Sequence, residues 1–246
     1  MATGERKIIA VADADAVART AAERLQSLIG TNSGRIAICL TGGSGPLKLY
    51  ELLATADCHG KIPWARVHWF IGDERFVPAA DPLNNMAAAR RIFLDACAPA
   101  QNVHPIPTDG ANPDEGAARY EHTLKSFHGA TSLDPVRPLF DLVLMGIGPD
   151  GHTASLFPGA AALTESERWV VGVPKAPVEP FVPRITLTLR ALASCREMLF
   201  QIAGSGKRAI LTRLLANENL PANRASSTGE TIWLADRAAL PEDFRG

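Results

Sequence analysis

No pair of cysteines in this sequence has the spacing of a metal or redox site. Cys39, Cys58, Cys97 and Cys195 stand far apart and none forms a CxxC. That excludes a zinc ribbon and a redox dithiol, and leaves reduced, mostly buried thiols as the expectation. An excess of one charge is missing too: 25 Lys and Arg face 26 Asp and Glu, for a formal net charge of −1. Such a surface cannot neutralise a run of phosphates or an acidic bilayer, so neither nucleic acid nor membrane is expected as a partner. A small anion needs only a few placed cations and is still allowed. No apolar run approaches the roughly 18 residues that span a bilayer. Residues 1–7 are polar and no apolar signal region follows, so the chain reads as cytoplasmic. His59, His68, His104, His122 and His128 have no metal-ligand spacing among themselves, so no catalytic metal and no cofactor are expected. The glycine turn at 41–46 is neither GxGxxG nor GxxxxGK[ST], so it implies no dinucleotide or nucleoside triphosphate. Repeats, low-complexity stretches and a convincing linker are also lacking.

What is present is an alternation of strands and helices. With 246 residues, 46% of them hydrophobic, the chain can bury a sizeable core. It reads as a single domain over residues 1–246. Apolar runs at 7–12, 35–40, 66–71, 103–106, 140–145, 169–173, 184–189, 197–203 and 231–235 read as strands. Helical spacing covers 14–29, with Asp13 as cap and Gly30 as stop, then 47–54, 86–96, 114–128 and 208–215. Pro174, Pro177, Pro180 and Pro183 make one stretch stiff and extended, unfit to pair as a central strand. This order predicts an α/β fold: a doubly wound, mostly parallel sheet with helices on both faces.

Ligands in such folds lie beyond the carboxyl ends of the strands. Four turns follow apolar strands there: 41–46 (TGGSGP), 72–75 (GDER), 148–152 (GPDGH) and 204–207 (GSGK). The first runs from a strand into a helix start, where close backbone approach and unpaired N–H groups suit an anion. The last repeats the pattern with Lys207 at the helix start. The other two supply Asp73, Arg75, Asp150 and His152. A histidine, with a reference pKa near 6.5, can take a proton at neutral pH and return it. Asp150 is suited to orienting the imidazole or meeting substrate hydroxyls. Asp73 and Arg75 are suited to pairing with each other or with developing charge.

These residues carry a family resemblance. TGGSGPLKLYELL, VHWFIGDERFVPAADPLNNMAAARRIFL, FDLVLMGIGPDGHTASLFPG, PRITLTL and GSGKR occur in this order, from about residue 35 to 215. Together they resemble the 6-phosphogluconolactonases of the glucosamine-6-phosphate isomerase/6-phosphogluconolactonase family. The resemblance implies a Rossmann-like fold and hydrolysis of 6-phospho-D-glucono-1,5-lactone to 6-phosphogluconate in the oxidative pentose phosphate pathway. It implies His152 as general base toward water, with Asp150, Asp73 and Arg75 sharing the catalytic work. Gly43, Ser44, Gly45, Arg184 and Lys207 would bind the sugar phosphate, the one partner expected of a monomer or homodimer. The family usually has Ser-Thr before the proline of the first glycine turn, where this chain has Ser44-Gly45-Pro46. Two other readings use the same scaffold, a glucosamine-6-phosphate deaminase/isomerase and a non-catalytic sugar-phosphate sensor. GDER and HTASLFPG favour the lactonase over the first. The lack of a DNA-binding segment disfavours the second.

Overall fold

The computed structural model of the protein describes residues 6–245. Its strands are β1 (Arg6–Val11), β2 (Ile36–Leu40), β3 (Val67–Ile71), β4 (Asp73–Arg75), β5 (Phe140–Met145), β6 (Val170–Val173), β7 (Arg184–Leu187), β8 (Cys195–Ile202) and β9 (Glu230–Asp236). Six of them form one sheet in the order β1-β9-β8-β5-β2-β3, and every pairing in it is parallel. Strands β2 and β5 are buried at every position, because helices cover both faces of a parallel sheet. Their sequences, IAICL and FDLVLM, are accordingly near-continuous apolar runs rather than alternating ones. The expected Rossmann-like α/β architecture is present.

Helix Ala14–Thr31 is capped by Asp13, whose side chain accepts from the Ala16 N–H, and it buries Val17, Ala18, Ala21, Leu25 and Ile29 against the sheet. Gly30 does not stop it. The helix ends at Asn32, whose N–H bonds the Ile29 carbonyl and whose side chain bonds Asp141 of β5.

Two expectations are corrected. Residues 103–106 contribute only a bridge between Val103 and Trp69, because Pro105 and Pro107 lack the N–H groups a ladder needs. Residues 73–75 are not a free turn. They are β4, which pairs antiparallel with β7, and β7 pairs antiparallel with β6, giving a second sheet of three strands. The chain leaves the main sheet at Gly72, which donates to Leu40 and accepts from Leu187. Arg75 thereby stands directly opposite Arg184.

The two tyrosines of the sequence hold the ends of β2 and β3. The Tyr50 hydroxyl donates to the Thr41 carbonyl and accepts from the Thr41 N–H, at 2.7 and 3.2 Å. The Tyr120 hydroxyl treats Ile71 the same way, at 3.1 Å for each bond. Each phenol stands in for a missing strand where the backbone departs toward a functional turn. Both rings are buried, which pushes both hydroxyl pKa values up. Tyr120→Phe keeps the ring but strands a buried N–H and C=O. It should cost about 1–3 kcal/mol, read as a lower midpoint in urea with an unchanged m-value. An unchanged midpoint would remove this role from the hydroxyl.

Candidate active site

All four turns meet at one cavity of about 540 Å³ beyond the carboxyl ends of the main strands. Of the residues singled out in the sequence, Gly43, Ser44, Gly45, Asp73, Arg75, His152, Arg184 and Lys207 line it. Asp150 does not. It stands behind His152, with Oδ1 2.5 Å from the histidine Nδ1 and 3.1 Å from its backbone N–H. A carboxylate accepting from Nδ1–H fixes the tautomer and leaves Nε2 free to accept a proton. Asp150 therefore orients the imidazole. Lys175, in the proline-rich stretch, is exposed and away from the cavity.

The position of the imidazole depends on the residue opposite. A Cβ built on Gly148 would lie 2.1 Å from ring atoms of His152. The ring thus occupies the volume a side chain at 148 would need. The far side of the ring meets Phe157, centroid to centroid at 4.8 Å. Gly148 also donates its N–H to the His152 carbonyl at 2.8 Å, closing the turn.

Of the cations lining the cavity, Lys48 pairs with Asp15, and the other three lack counterions. Among the described residues no carboxylate lies within salt-bridge distance of Arg75, Arg184 or Lys207. Arg75 donates to the Leu83 carbonyl, Arg184 to the Pro180 carbonyl and Lys207 to the Ile147 carbonyl. The Nε atoms of Arg75 and Arg184 are buried without a partner. Burial lowers the pKa of Arg184, and neighbouring Arg75 lowers it further. Burial lowers Lys207 as well. Like charges opposite one another across a strand pair destabilise it, so this arrangement suits a bound anion. The turn at 43–45 adds donors, since the N–H groups of Gly43, Ser44 and Gly45 find no acceptor among the described residues. They precede the helix Leu47–Ala54, whose N-terminus favours negative charge.

Asp73 and Arg75 do not pair with each other. Asp73 Oδ2 accepts from Ser155 Oγ at 2.6 Å, while Arg75 turns to Leu83. Ser155 is fully buried, on a turn in which Ala154 takes the left-handed φ of 49°. Lys207 is steadied from the last strand: Asp236, at the end of β9, accepts the Gly204 N–H at 2.9 Å, and Gly204 accepts from Lys207 N.

Residues 11–233 match the family described as glucosamine-6-phosphate isomerases/6-phosphogluconolactonase. The chain belongs to this family. It is 38% identical to the 6-phosphogluconolactonase of Synechocystis over 211 residues, 84% of each chain. It is 37% identical to that of Mycobacterium tuberculosis over 238 residues, 92% of this chain and 94% of the relative. The solved structure of 6-phosphogluconolactonase from Thermotoga maritima superposes with a TM-score of 0.81 at 29% identity, covering 95% of this chain and 100% of that one. No helix of the described residues is long and apolar enough to cross a membrane.

Sequence reasoning missed the residues that support this family's site from behind. Glu74 is fully buried, because alternation along β4 turns it away from the face that Asp73 and Arg75 present. It accepts the N–H groups of Arg75, Asn85 and Met86 at 2.7 to 2.9 Å. It thereby ties β4 to the first turn of helix Asn85–Ala89. Asn85 in turn donates to the Asp73 carbonyl and lies against Gly42 of the first glycine turn. The period-2 pattern of GDER was the available signal.

Burial pushes the Glu74 carboxyl up to about 7, outweighing the three N–H groups that favour the anion, with Asp73 adding a small upward push. A carboxyl raised in the folded state from 4.5 to about 7 gives its full stability below 4.5. As pH rises toward 7 the unfolded chain releases a proton that the fold retains, so stability falls. The full span is worth about 3 kcal/mol. The advantage of wild type over Glu74→Gln in thermal melts should therefore shrink between pH 4.5 and 7. An advantage constant across that window would contradict a titrating Glu74.

Proposed function

We propose that this chain hydrolyses 6-phospho-D-glucono-1,5-lactone to 6-phosphogluconate. The observation that carries the reading is the placement of an aspartate-oriented histidine and a set of uncompensated cations around one cavity. The family and its 6-phosphogluconolactonase relatives supply the substrate.

His152 Nε2 takes a proton from water as the water oxygen attacks the lactone carbonyl carbon. The carbonyl becomes a tetrahedral oxyanion. Arg75, on the cavity wall, is the group suited to stabilising that charge. The imidazolium, held by Asp150, then returns the proton to the ring oxygen as the ester bond breaks. The products are a hydroxyl and a carboxylic acid, which ionises at neutral pH. Asp73, fixed by Ser155, is suited to accepting a substrate hydroxyl. Gly43, Ser44 and Gly45, with Arg184 and Lys207, hold the phosphate at the far end.

With fresh lactone, and with the spontaneous rate subtracted, His152→Ala should lose at least about 10²-fold in kcat, the lower end for general base catalysis. Gly148→Ala should lose a comparable amount, since its new Cβ displaces the ring. Near-full activity in either variant would refute the assigned base or its seating. Lys207→Ala should raise KM more than it lowers kcat, because a phosphate remote from the reacting carbon mainly contributes binding. An unchanged KM would remove Lys207 from the phosphate site.

A further inference from the structure

The side chain of Asn85 is only half used by the contacts described above. The backbone N–H of Asn85 donates to Glu74 Oε1 at 2.7 Å, and its side-chain Nδ2 donates to the Asp73 carbonyl at 3.0 Å. A carbonyl oxygen can only accept, so the second bond also decides which arm of the carboxamide is nitrogen. The other arm, Oδ1, meets no donor among the described residues and is not sealed from solvent. The residue as a whole is 8% exposed and lines the cavity, so the open surface of that oxygen is cavity surface.

Gly42 fixes where in the cavity the oxygen lies. A Cβ built on Gly42 would stand 2.1 Å from Asn85 Oδ1, 2.2 Å from Cγ and 2.4 Å from Nδ2. The flat amide thus fills the space of a side chain at 42. It bridges the root of the 43–45 turn and the start of β4, and Gly42, Asp73 and Arg75 line the same cavity. Arg75, Arg184, Lys207 and the N–H groups of the glycine turn offer donors there, whereas Asn85 Oδ1 offers an acceptor. It cannot serve a phosphate oxygen, a carbonyl oxygen or an oxyanion, because each of those also accepts. It suits a neutral donor, which on a sugar phosphate is a hydroxyl.

We propose that Asn85 determines specificity: its Oδ1 accepts from a hydroxyl on the carbon chain of the bound sugar phosphate, between the phosphate and the lactone carbonyl. This rests on the sugar-phosphate reading given above and adds a contact to it. Glu74 and the Asp73 carbonyl hold the amide before the ligand arrives, so little side-chain freedom is lost on binding. A ligand without that hydroxyl would cover the oxygen and leave it unpaired, which should weaken binding about tenfold.

The test uses calorimetry with 6-phosphogluconate, with its analogues lacking the hydroxyl at C2, C3 or C4, and with inorganic phosphate. Wild type should bind one of the deoxy analogues about tenfold more weakly than the parent. Asn85→Ala should bind the parent about tenfold more weakly than wild type does, and the same deoxygenation should then cost it less than about twofold. Its affinity for inorganic phosphate should stay within about twofold of wild type, since an acceptor contributes nothing there. Gly42→Ala leaves Asn85 in the sequence but displaces its amide, and should flatten the same discrimination; it carries the test if Asn85→Ala does not fold. If every deoxygenation costs the variants what it costs wild type, or if Asn85→Ala loses phosphate and sugar phosphate alike, Asn85 merely supports the turn and the proposal is overturned. These measurements need no turnover. A wild type that binds 6-phosphogluconate with this discrimination but hydrolyses no lactone would sink the activity reading alone.

Discussion

Parallel strands all end on the same side, and that constraint determines where everything else in this molecule must be. The carboxyl ends of β2, β3, β5 and β8 deliver four turns to one edge. Each turn must leave the sheet without abandoning its backbone hydrogen bonds in a buried place. Tyr50 and Tyr120 solve this at two of the exits by occupying both backbone groups of the departing residue. At a third, the Gly148 N–H and the His152 carbonyl close the turn on itself. The chemistry-bearing side chains are therefore carried by loops whose roots are held as firmly as strands.

The cavity is built against the ordinary preferences of a protein interior. Arg75 and Arg184 face one another without a salt-bridged carboxylate, and Lys207 spends its ammonium on a carbonyl. Alone, such an arrangement costs stability. With an anion in place the same groups become complementary, so the cost of assembling them converts into affinity. His152 is treated in the opposite way: it is buttressed by Asp150, by Phe157 and by the missing side chain at 148.

The legible parts of this design were those written locally. Apolar runs ending in glycine marked the strand exits, and the charged residues after them marked the site. His152, Asp150, the glycine turn and Lys207 could all be found this way. What was not legible depends on partners far along the chain. Three residues are too short to announce β4 as a strand, and its partner β7 comes more than a hundred residues later, after a proline-rich stretch. Ser155 read as part of a turn, and only the fold sets it against Asp73. Glu74 read as one more charge in a charged corner, although the alternation of β4 buries it.

The sheet order carries a consequence for how the molecule comes into being. β1 has a single neighbour, β9, and their register sets Arg6 beside Thr231. Among the described strands, β1 therefore waits for β9 before it has any ladder to join. At translation speeds of about 5–20 residues per second, that delay is roughly ten seconds or more. The same late strand carries Asp236, which clasps Gly204 and so steadies the turn bearing Lys207. Pairing of β1 and the steadying of the turn that bears Lys207 thus depend on one and the same strand. A nascent chain that has not yet inserted β9 has both an unpaired edge and an unfinished crevice, and inserting that strand resolves both.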